Sequence, residues 1–179
     1  MRTLSDLLRT AYPEYADEDI KKLIKVARNG ELNCGMIWER ITREKLGLEP
    51  LRPNSAWRDH VDGTDSKFCS VVRMNNKENK PNCFQATIST RNKIGQLRVC
   101  IWDPFFADNL YFMLIPHEYH SKYKGNPIKI TFQNFMPKGL HWDKWRCTFE
   151  QVMAQVDNNS KEIYNSRMLT MDKKFTSQA

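Results

Sequence analysis

The sequence predicts an α+β fold, in which N-terminal helices precede a mixed, mostly antiparallel sheet of five or six strands that a C-terminal helix covers. Apolar residues recur at helical spacing in the first fifty residues, alternate with polar residues between 56 and 135, and return to helical spacing over 141–157. This order of helices, strands and helix is typical of one α+β domain. We therefore expect a single domain over residues 1–179, with a polar tail after 165.

Three helices are predicted in the first fifty residues. A short one covers 4–10. The second begins at the acidic run Asp17–Asp19, because negative side chains stabilise the positive, N-terminal end of a helix dipole. It ends at Asn29–Gly30. The third begins near Asn33 and ends at Gly47, since glycine readily adopts the left-handed conformation that closes helices.

Strands are predicted from Ala56 onward. The segments of strand type are, in order, 56–61, 65–74, 84–88, 97–102, 110–115 and 128–132. The first two flank Asp62-Gly63, which is a strong signal for a β-hairpin, and the third alternates between apolar and polar residues. The helix predicted over 141–157 would then cover one face of the resulting sheet.

The charge balance predicts a polyanionic partner. The chain has 28 Lys and Arg against 21 Asp and Glu, a net charge of +7, and proteins of this kind are drawn to nucleic acid. Two basic loops between strands combine Asn with Lys or Arg, residue types that contact phosphates and base edges. The residues expected to bind DNA are Asn75, Asn76, Lys77, Lys80, Arg91, Asn92 and Lys93.

Other broad classes are excluded by composition. The longest apolar stretch, Leu110 to Pro116, is far shorter than the roughly 20 residues that cross a bilayer. The first residues do not begin the apolar region of a signal peptide. The five cysteines are odd in number and form no C-x-x-C pair, which fits reduced thiols. We therefore expect a soluble, cytoplasmic protein of a bacterial or phage-infected cell, with no membrane contact.

An acidic hairpin is the most informative segment. Asp59, Asp62, Asp65 and Lys67 place three carboxylates and an ammonium within nine residues. If the hairpin loop has three residues, then Asp59, Asp65 and Lys67 share one face, because alternate strand residues point the same way. If it has two residues, Asp59 turns to the opposite face and Asp62 becomes the possible partner. The sequence leaves the two registers open.

These residue types suit phosphodiester hydrolysis, which needs a nucleophilic water and a stabilised oxyanion. A Mg²⁺ ion held by one or two carboxylates can supply both, and a nearby ammonium can hold a phosphate oxygen or lower the pKa of the attacking water. We therefore take Asp65, with Asp59 or Asp62, as candidate Mg²⁺ ligands and Lys67 as the residue that orients water or phosphate.

The chain contains, in order, a helix with a glutamate, an acid and an Asp/Glu-x-Lys element. This arrangement resembles the PD-(D/E)xK nuclease superfamily, which includes type II restriction enzymes and some homing endonucleases. Asp65-Ser66-Lys67 matches the D/E-x-K element, Asp59 or Asp62 matches the upstream acid, and Glu39 matches the helical glutamate. The resemblance implies a restriction-endonuclease-like core and Mg²⁺-dependent, sequence-specific cleavage of double-stranded DNA. It also implies that Glu39 is an auxiliary acid acting on the metal or on Lys67.

A chain of this size can make one such site, so cleavage of both strands at a symmetric target indicates a homodimer. Three alternatives remain open. The chain could bind nucleic acid without catalysis, with the acidic hairpin as an ordinary solvated turn, or it could be an RNA-cleaving toxin on a similar scaffold. His117, His120, Asn134 and His141 also resemble the order of residues in HNH nucleases.

Overall fold

The computed structural model describes residues 1–48, 59–60, 62–74, 83–93 and 95–154. The helices are α1 (Leu4–Ala11), α2 (Asp17–Arg28), α3 (Cys34–Leu46), α4 (His117–His120), α5 (Leu140–Trp145) and α6 (Phe149–Val152), with a 3₁₀ turn at Ser121–Tyr123. The strands are β1 (Asp65–Ser70), β2 (Val72–Met74), β3 (Cys83–Ile88), β4 (Leu97–Asp103), β5 (Asn109–Ile115), β6 (Ile128–Gln133), β7 (Met136–Lys138) and β8 (Arg146–Cys147). The predicted α+β class is confirmed.

The three N-terminal helices are confirmed, and local signals explain their ends. Thr3 caps α1 through a reciprocal capping box with Asp6. The side chain of Asn33 accepts a hydrogen bond from the backbone nitrogen of Met36 at 3.0 Å, which starts α3. Gly47 ends α3 in the left-handed conformation, with φ of 62°. None of the helices in the described ranges is long and apolar enough to cross a membrane.

The strands form two sheets, so the prediction of one sheet with five or six strands is wrong. The first sheet has the order β1-β4-β5-β8, with β1 parallel to β4 and the other pairs antiparallel. The second has the antiparallel order β2-β3-β6-β7. The predicted strand 65–74 divides at buried Val71, whose nitrogen donates to the Trp102 carbonyl, and continues in the second sheet. Alternation identifies a strand but does not tell which sheet it joins.

The first sheet lies in the middle of three layers. Cys100 and Trp102 of β4 pack against α1–α3 in one apolar cluster. Val99 and Ile101, which point to the opposite side, pack against the second sheet in the other cluster. Every residue of β4 is buried. Polar side chains next to this strand are therefore shielded from water on both sides.

The predicted helix over 141–157 is replaced by three short elements. α5 ends at Trp145, Arg146 and Cys147 form β8 along β5, and a new helix, α6, begins after Thr148. The Thr148 hydroxyl accepts from the backbone nitrogen of Gln151 at 3.1 Å, which is a helix start signal inside the apolar pattern. Residues 155–157 and the predicted tail lie outside the described residues.

The predicted hairpin before β1 is also wrong where the chain is described. Asp59 and His60 form a bend, and both backbone nitrogens donate to the Thr64 carbonyl, at 3.4 and 3.2 Å. Among the described residues, β1 pairs in parallel with β4. Residues 56–58 and 61 lie outside the described residues. Neither hairpin register therefore sets the position of Asp59, which depends on its side-chain contacts.

Candidate active site

The candidate site lies at the end of the sheets where β1 and β4 both begin, with Asp65 opposite Leu97 in the parallel register. Because side chains alternate along a strand, Asp65 and Lys67 point to the second sheet, as Cys69 does. Ser66 points to the helices instead. β1 thus carries a different group of polar residues on each side.

Asp65 is held between two lysines. Its carboxylate is 1% exposed, with Oδ1 2.8 Å from Nζ of Lys67 and Oδ2 2.6 Å from Nζ of Lys93. The side chains of Lys67 and Lys93 are 20% and 11% exposed. Burial lowers the pKa of Lys67, but the carboxylates of Asp65 and Asp59 outweigh it and leave that pKa above its ordinary value. Lys67 therefore stays protonated at neutral pH.

Asp59 lies beside this ion pair. Its Oδ2 accepts a hydrogen bond from the backbone nitrogen of Ser66 at 2.8 Å, on β1, the edge strand among those described. Burial, and then the negative charge of Asp65, raise the pKa of Asp59 to about 6. Two carboxylates that repel each other thus share the site with two ammonium groups. The Asp65 cluster comprises Asp59, Asp65, Lys67 and Lys93.

Asp62, the alternative upstream acid, belongs to a different group of contacts. Its Oδ1 accepts from the backbone nitrogen and hydroxyl of Thr64, at 3.0 and 2.7 Å, and its Oδ2 lies 3.7 Å from Nη2 of Arg98. These contacts close the turn after Asp59. Of the two acids that the sequence left open, the structure brings Asp59 to Asp65 and directs Asp62 to Arg98.

Arg98 is a buried centre that the sequence did not indicate. The side chain is fully buried, and its Nη1 donates to the carbonyls of Val152 and Ala154.

On the same side of β1, Nε2 of His60 hydrogen-bonds with Oγ of Ser66 at 2.7 Å. Burial lowers the pKa of His60 to about 4, so its ring is neutral. The Arg98 network comprises His60, Asp62, Thr64, Ser66 and Arg98, and it supports the turn that carries Asp59.

Glu39 is not brought to the Asp65 cluster. Its carboxylate pairs with Nη1 of Arg43 at 3.3 Å, one turn along α3. α3 packs on the helix-covered side of the first sheet through Trp38 and Ile41, while Asp65 and Lys67 point to the other side. The structure therefore gives no support to Glu39 as an auxiliary acid acting on the metal or on Lys67.

The two predicted DNA-binding loops relate differently to the site. Arg91 and Asn92 are exposed in the β3–β4 loop, beside Lys93. Asn75, Asn76, Lys77 and Lys80 lie outside the described residues. The strand ends that flank them, Met74 and Cys83, pair with each other at the opposite end of β3 from the Arg91–Lys93 loop. The sequence predicts Lys93 only as a DNA contact, and its ion pair with Asp65 has no local sequence signal.

A close approach between two turns positions the start of β1. A Cβ atom on Gly95 would lie 1.7 Å from the carbonyl oxygen of Gly63, so only glycine fits. The Gly95 carbonyl contacts Nε2 of His120 at 2.7 Å, and the Asp65 nitrogen donates to the Gln96 carbonyl at 3.0 Å. These contacts hold the turn before Asp65 against the turn before β4.

The residues that resemble an HNH motif do not form a metal site, although the rings of His117 and His120 lie side by side with centroids 5.1 Å apart. His120 is buried on Gly95, and Nδ1 of His141 hydrogen-bonds with the Tyr119 hydroxyl at 2.5 Å. Asn134 follows the last residue of β6. It therefore lies at the opposite end of that strand from the Asp65 cluster, since the start of β6 pairs with the end of β3 near the cluster. Across the described part of the chain, no group of three or more His, Cys, Asp or Glu side chains is arranged to hold a metal ion.

No match to the chain was found among known protein families, curated proteins or solved structures. The chemistry and geometry of the Asp65 cluster are therefore the basis on which a function can be argued.

Proposed function

We propose that the chain is a Mg²⁺-dependent endonuclease that hydrolyses phosphodiester bonds in double-stranded DNA. One observation carries this proposal: a buried carboxylate, Asp65, lies between the ammonium groups of Lys67 and Lys93, next to a second carboxylate, Asp59. Negative groups for a metal and positive groups for a phosphate are thus present in one site. The resemblance of Asp65-Ser66-Lys67 to the PD-(D/E)xK element supports the same assignment.

The donor set fits Mg²⁺. This ion prefers oxygen ligands, and proteins hold it by one or two carboxylates while it keeps water or substrate phosphate in its other positions. The negative charge of Asp65 contributes to the raised pKa of Asp59, and a divalent cation between the two carboxylates would relieve that repulsion. Asp59 and Asp65 would hold the ion. When bound, Mg²⁺ supplies an activated water and Lewis-acid stabilisation of the phosphate.

The two lysines would act on the phosphate. Lys67 remains protonated, because the neighbouring carboxylates raise its pKa in spite of its burial. In a site shielded from water, an ammonium stabilises developing negative charge more strongly than it does in bulk solvent. Lys67 would therefore hold a non-bridging phosphate oxygen as charge accumulates there, and it would orient the phosphate toward the two carboxylates.

The surface near the cluster supports a polyanionic substrate. Arg91 and Asn92 are exposed in the same loop as Lys93. The hydroxyl of Thr90 donates to the Asn126 carbonyl at 2.9 Å, which places this loop against the segment that carries exposed Lys122 and Lys124. Cations around a buried acidic site attract DNA phosphates and fix their position. We propose cleavage of restriction or homing type, by a homodimer if both strands are cut at a symmetric target.

The proposal is tested with plasmid or phage DNA, incubated with purified protein in Mg²⁺ or in EDTA. Discrete fragments are expected only with Mg²⁺. Asp65→Asn and Lys67→Met should each lower the cleavage rate by a factor on the order of 10²–10³ and leave DNA binding in place. Lys129→Met, at an exposed position of β6, removes the same charge elsewhere and should cut normally. Unchanged cleavage by Asp65→Asn would defeat the site assignment.

A non-catalytic nucleic-acid-binding module is the second candidate. The two ion pairs of Asp65 favour it, because they balance the carboxylate without a metal. This candidate predicts salt-sensitive DNA binding without Mg²⁺-dependent fragments. A parallel arm with RNA of the same length tests an RNA-cleaving toxin, which would degrade RNA in preference to DNA.

A further inference from the structure

The ion pair between Lys93 and Asp65 has a consequence for metal binding. Both oxygens of Asp65 are engaged, Oδ1 with Lys67 and Oδ2 with Lys93. A divalent cation that binds Asp65 must therefore compete with at least one ammonium group. The two lysines differ in the backbone that carries them, so they differ in how readily they can withdraw.

The backbone of Lys67 is fixed more firmly than that of Lys93. It belongs to β1, where it lies opposite Val99 of the parallel neighbour β4. Lys93 belongs to the connection between β3 and β4, directly after Asn92, which has a left-handed backbone with φ of 59°. Displacing a strand residue disrupts a hydrogen-bonded ladder, whereas a loop residue can move at lower cost. Although its ammonium group is the closer of the two to Asp65, Lys93 has the backbone that can move away from the carboxylate at lower cost.

The same loop presents a contact for nucleic acid. Arg91 and Asn92 are exposed, while Lys93 is directed inward to Asp65. A phosphate held at Arg91 would bring a competing anion to the ammonium of Lys93. Transfer of Lys93 from the carboxylate to that phosphate exchanges one charge-assisted contact for another and releases Oδ2 of Asp65. Contact with the polyanion and availability of the metal ligand are thereby joined in one short segment.

We propose that Lys93 couples nucleic-acid binding to metal binding, an inference that rests on the proposed function. Before nucleic acid binds, Lys93 neutralises Asp65 and weakens its affinity for a divalent cation. Phosphate contact draws Lys93 away, and the metal then binds Asp59 and Asp65 more tightly. Such coupling is reciprocal, so the metal also strengthens nucleic-acid binding by the same factor.

The test measures Mn²⁺ binding to the full chain by electron paramagnetic resonance, with and without a short DNA duplex. For the unmodified protein, duplex should tighten Mn²⁺ binding at least about fivefold. For Lys93→Met, Mn²⁺ should bind at least about fivefold tighter without DNA, and duplex should add little further. Lys93→Gln keeps a polar group next to Asp65 and should also bind Mn²⁺ more tightly without DNA. It replaces the Met variant if that variant folds poorly.

Two controls define the site. Lys129→Met removes an exposed lysine of β6 and should leave Mn²⁺ affinity unchanged without DNA, which separates the local ion pair from the general effect of net charge. Asp65→Asn should abolish tight Mn²⁺ binding in each background.

The outcomes separate the inference from the proposed function. If Mn²⁺ binds at Asp65 and neither Lys93 variant changes its affinity, the coupling role of Lys93 is wrong while the metal-dependent nuclease stands. If the coupling is observed but no DNA is cut, the inference stands and the nuclease proposal fails. If Asp65→Asn and the unmodified protein bind Mn²⁺ equally weakly in every condition, both are wrong.

Discussion

The two sides of β1 carry polar groups from the same short segment, arranged in opposite ways. On the helix side, Thr64 donates hydrogen bonds to the Asp62 carboxylate and the Arg98 guanidinium faces it, while burial keeps His60 neutral. On the other side, the Asp65 cluster places Asp59 close enough to Asp65 for their charges to repel. A group of buried hydrogen bonds around an ion pair stabilises a turn, whereas an acid whose pKa is raised by burial and then by a like charge is typical of a functional site.

This comparison predicts different consequences of substitution on the two sides. Changes in the Arg98 network should lower the free energy of unfolding, because they leave buried groups without partners. Changes in the Asp65 cluster should affect metal binding and cleavage, with small or even favourable effects on stability.

The largest expected effect on stability is that of Arg98→Met. The substitution removes the guanidinium from the buried Asp62 carboxylate and from the carbonyls of Val152 and Ala154. Leaving a buried charge uncompensated typically costs about 3–5 kcal/mol, and a loss of that size is expected in urea unfolding. Lys67→Met, on the other side of β1, should cost less than about 1 kcal/mol, because Asp65 keeps Lys93 and Lys67 is partly exposed.

A double-mutant cycle sharpens this prediction. Asp62→Asn should destabilise the unmodified protein more than it destabilises Arg98→Met, since the carboxylate has already lost its cation in that background. Equal losses for Arg98→Met and Lys67→Met would remove the distinction between the two sides.

Gly95→Ala should have the next largest effect. The new Cβ atom would overlap the Gly63 carbonyl, which is backbone and cannot rotate away. Overpacking of this kind costs about 1–3 kcal/mol, and relief by movement of the Gly63 turn would displace Asp59 from Asp65. We expect a lower melting temperature together with weaker Mn²⁺ binding. Gly35→Ala in α3, where the added atom meets only the Asn33 side chain at 3.3 Å, should change stability by less than about 1 kcal/mol. Full Mn²⁺ affinity in Gly95→Ala would show that this contact does not position the site.

The helices could be predicted from the sequence because their signals are local. The acidic first turn of α2 and the glycine after α3 act within a few residues. That Asp65 and Lys67 point to the same side of β1 could also be predicted locally, since it follows from their two-residue spacing along one strand. The break between α5 and α6 was missed because residues on both sides of it keep an apolar pattern of helical type.

The remainder of the site depends on contacts between distant parts of the chain. The parallel pairing of β1 with β4 brings Lys93 and Arg98 to the turn that carries Asp59. Parallel pairing leaves no short-range signal of the kind that a hairpin turn provides. The sequence therefore predicts Asp59 through a hairpin that the described residues do not form, although the structure brings it beside Asp65 through a hydrogen bond from the Ser66 backbone nitrogen.

The smallest expected effect, and the one most specific to the comparison, is on the pH dependence of stability in Asp59→Asn. The pKa of Asp59 rises from an ordinary 3.8 to about 6, because of its burial and then the charge of Asp65. Folding therefore disfavours the ionised form, and the cost is present above about pH 6 and lost as the pH falls toward 4. The rise corresponds to about 3 kcal/mol, which solvent screening of this partly buried group reduces to about 1–2 kcal/mol.

Asp59→Asn should thus be more stable than the unmodified protein at pH 8 and equally stable at pH 4, measured by urea unfolding without divalent ions. His60 has the opposite dependence, because its lowered pKa destabilises the fold as the pH falls from 6.5 to about 4, but it is common to both proteins and cancels in the difference. Asp62→Asn, three residues along, should be less stable at pH 8, since its carboxylate accepts from Thr64 and faces Arg98. The same substitution would then have opposite signs on the two sides of β1. A loss of stability at pH 8 in both variants would mean that Asp59 is a structural acid and that repulsion from Asp65 does not govern it.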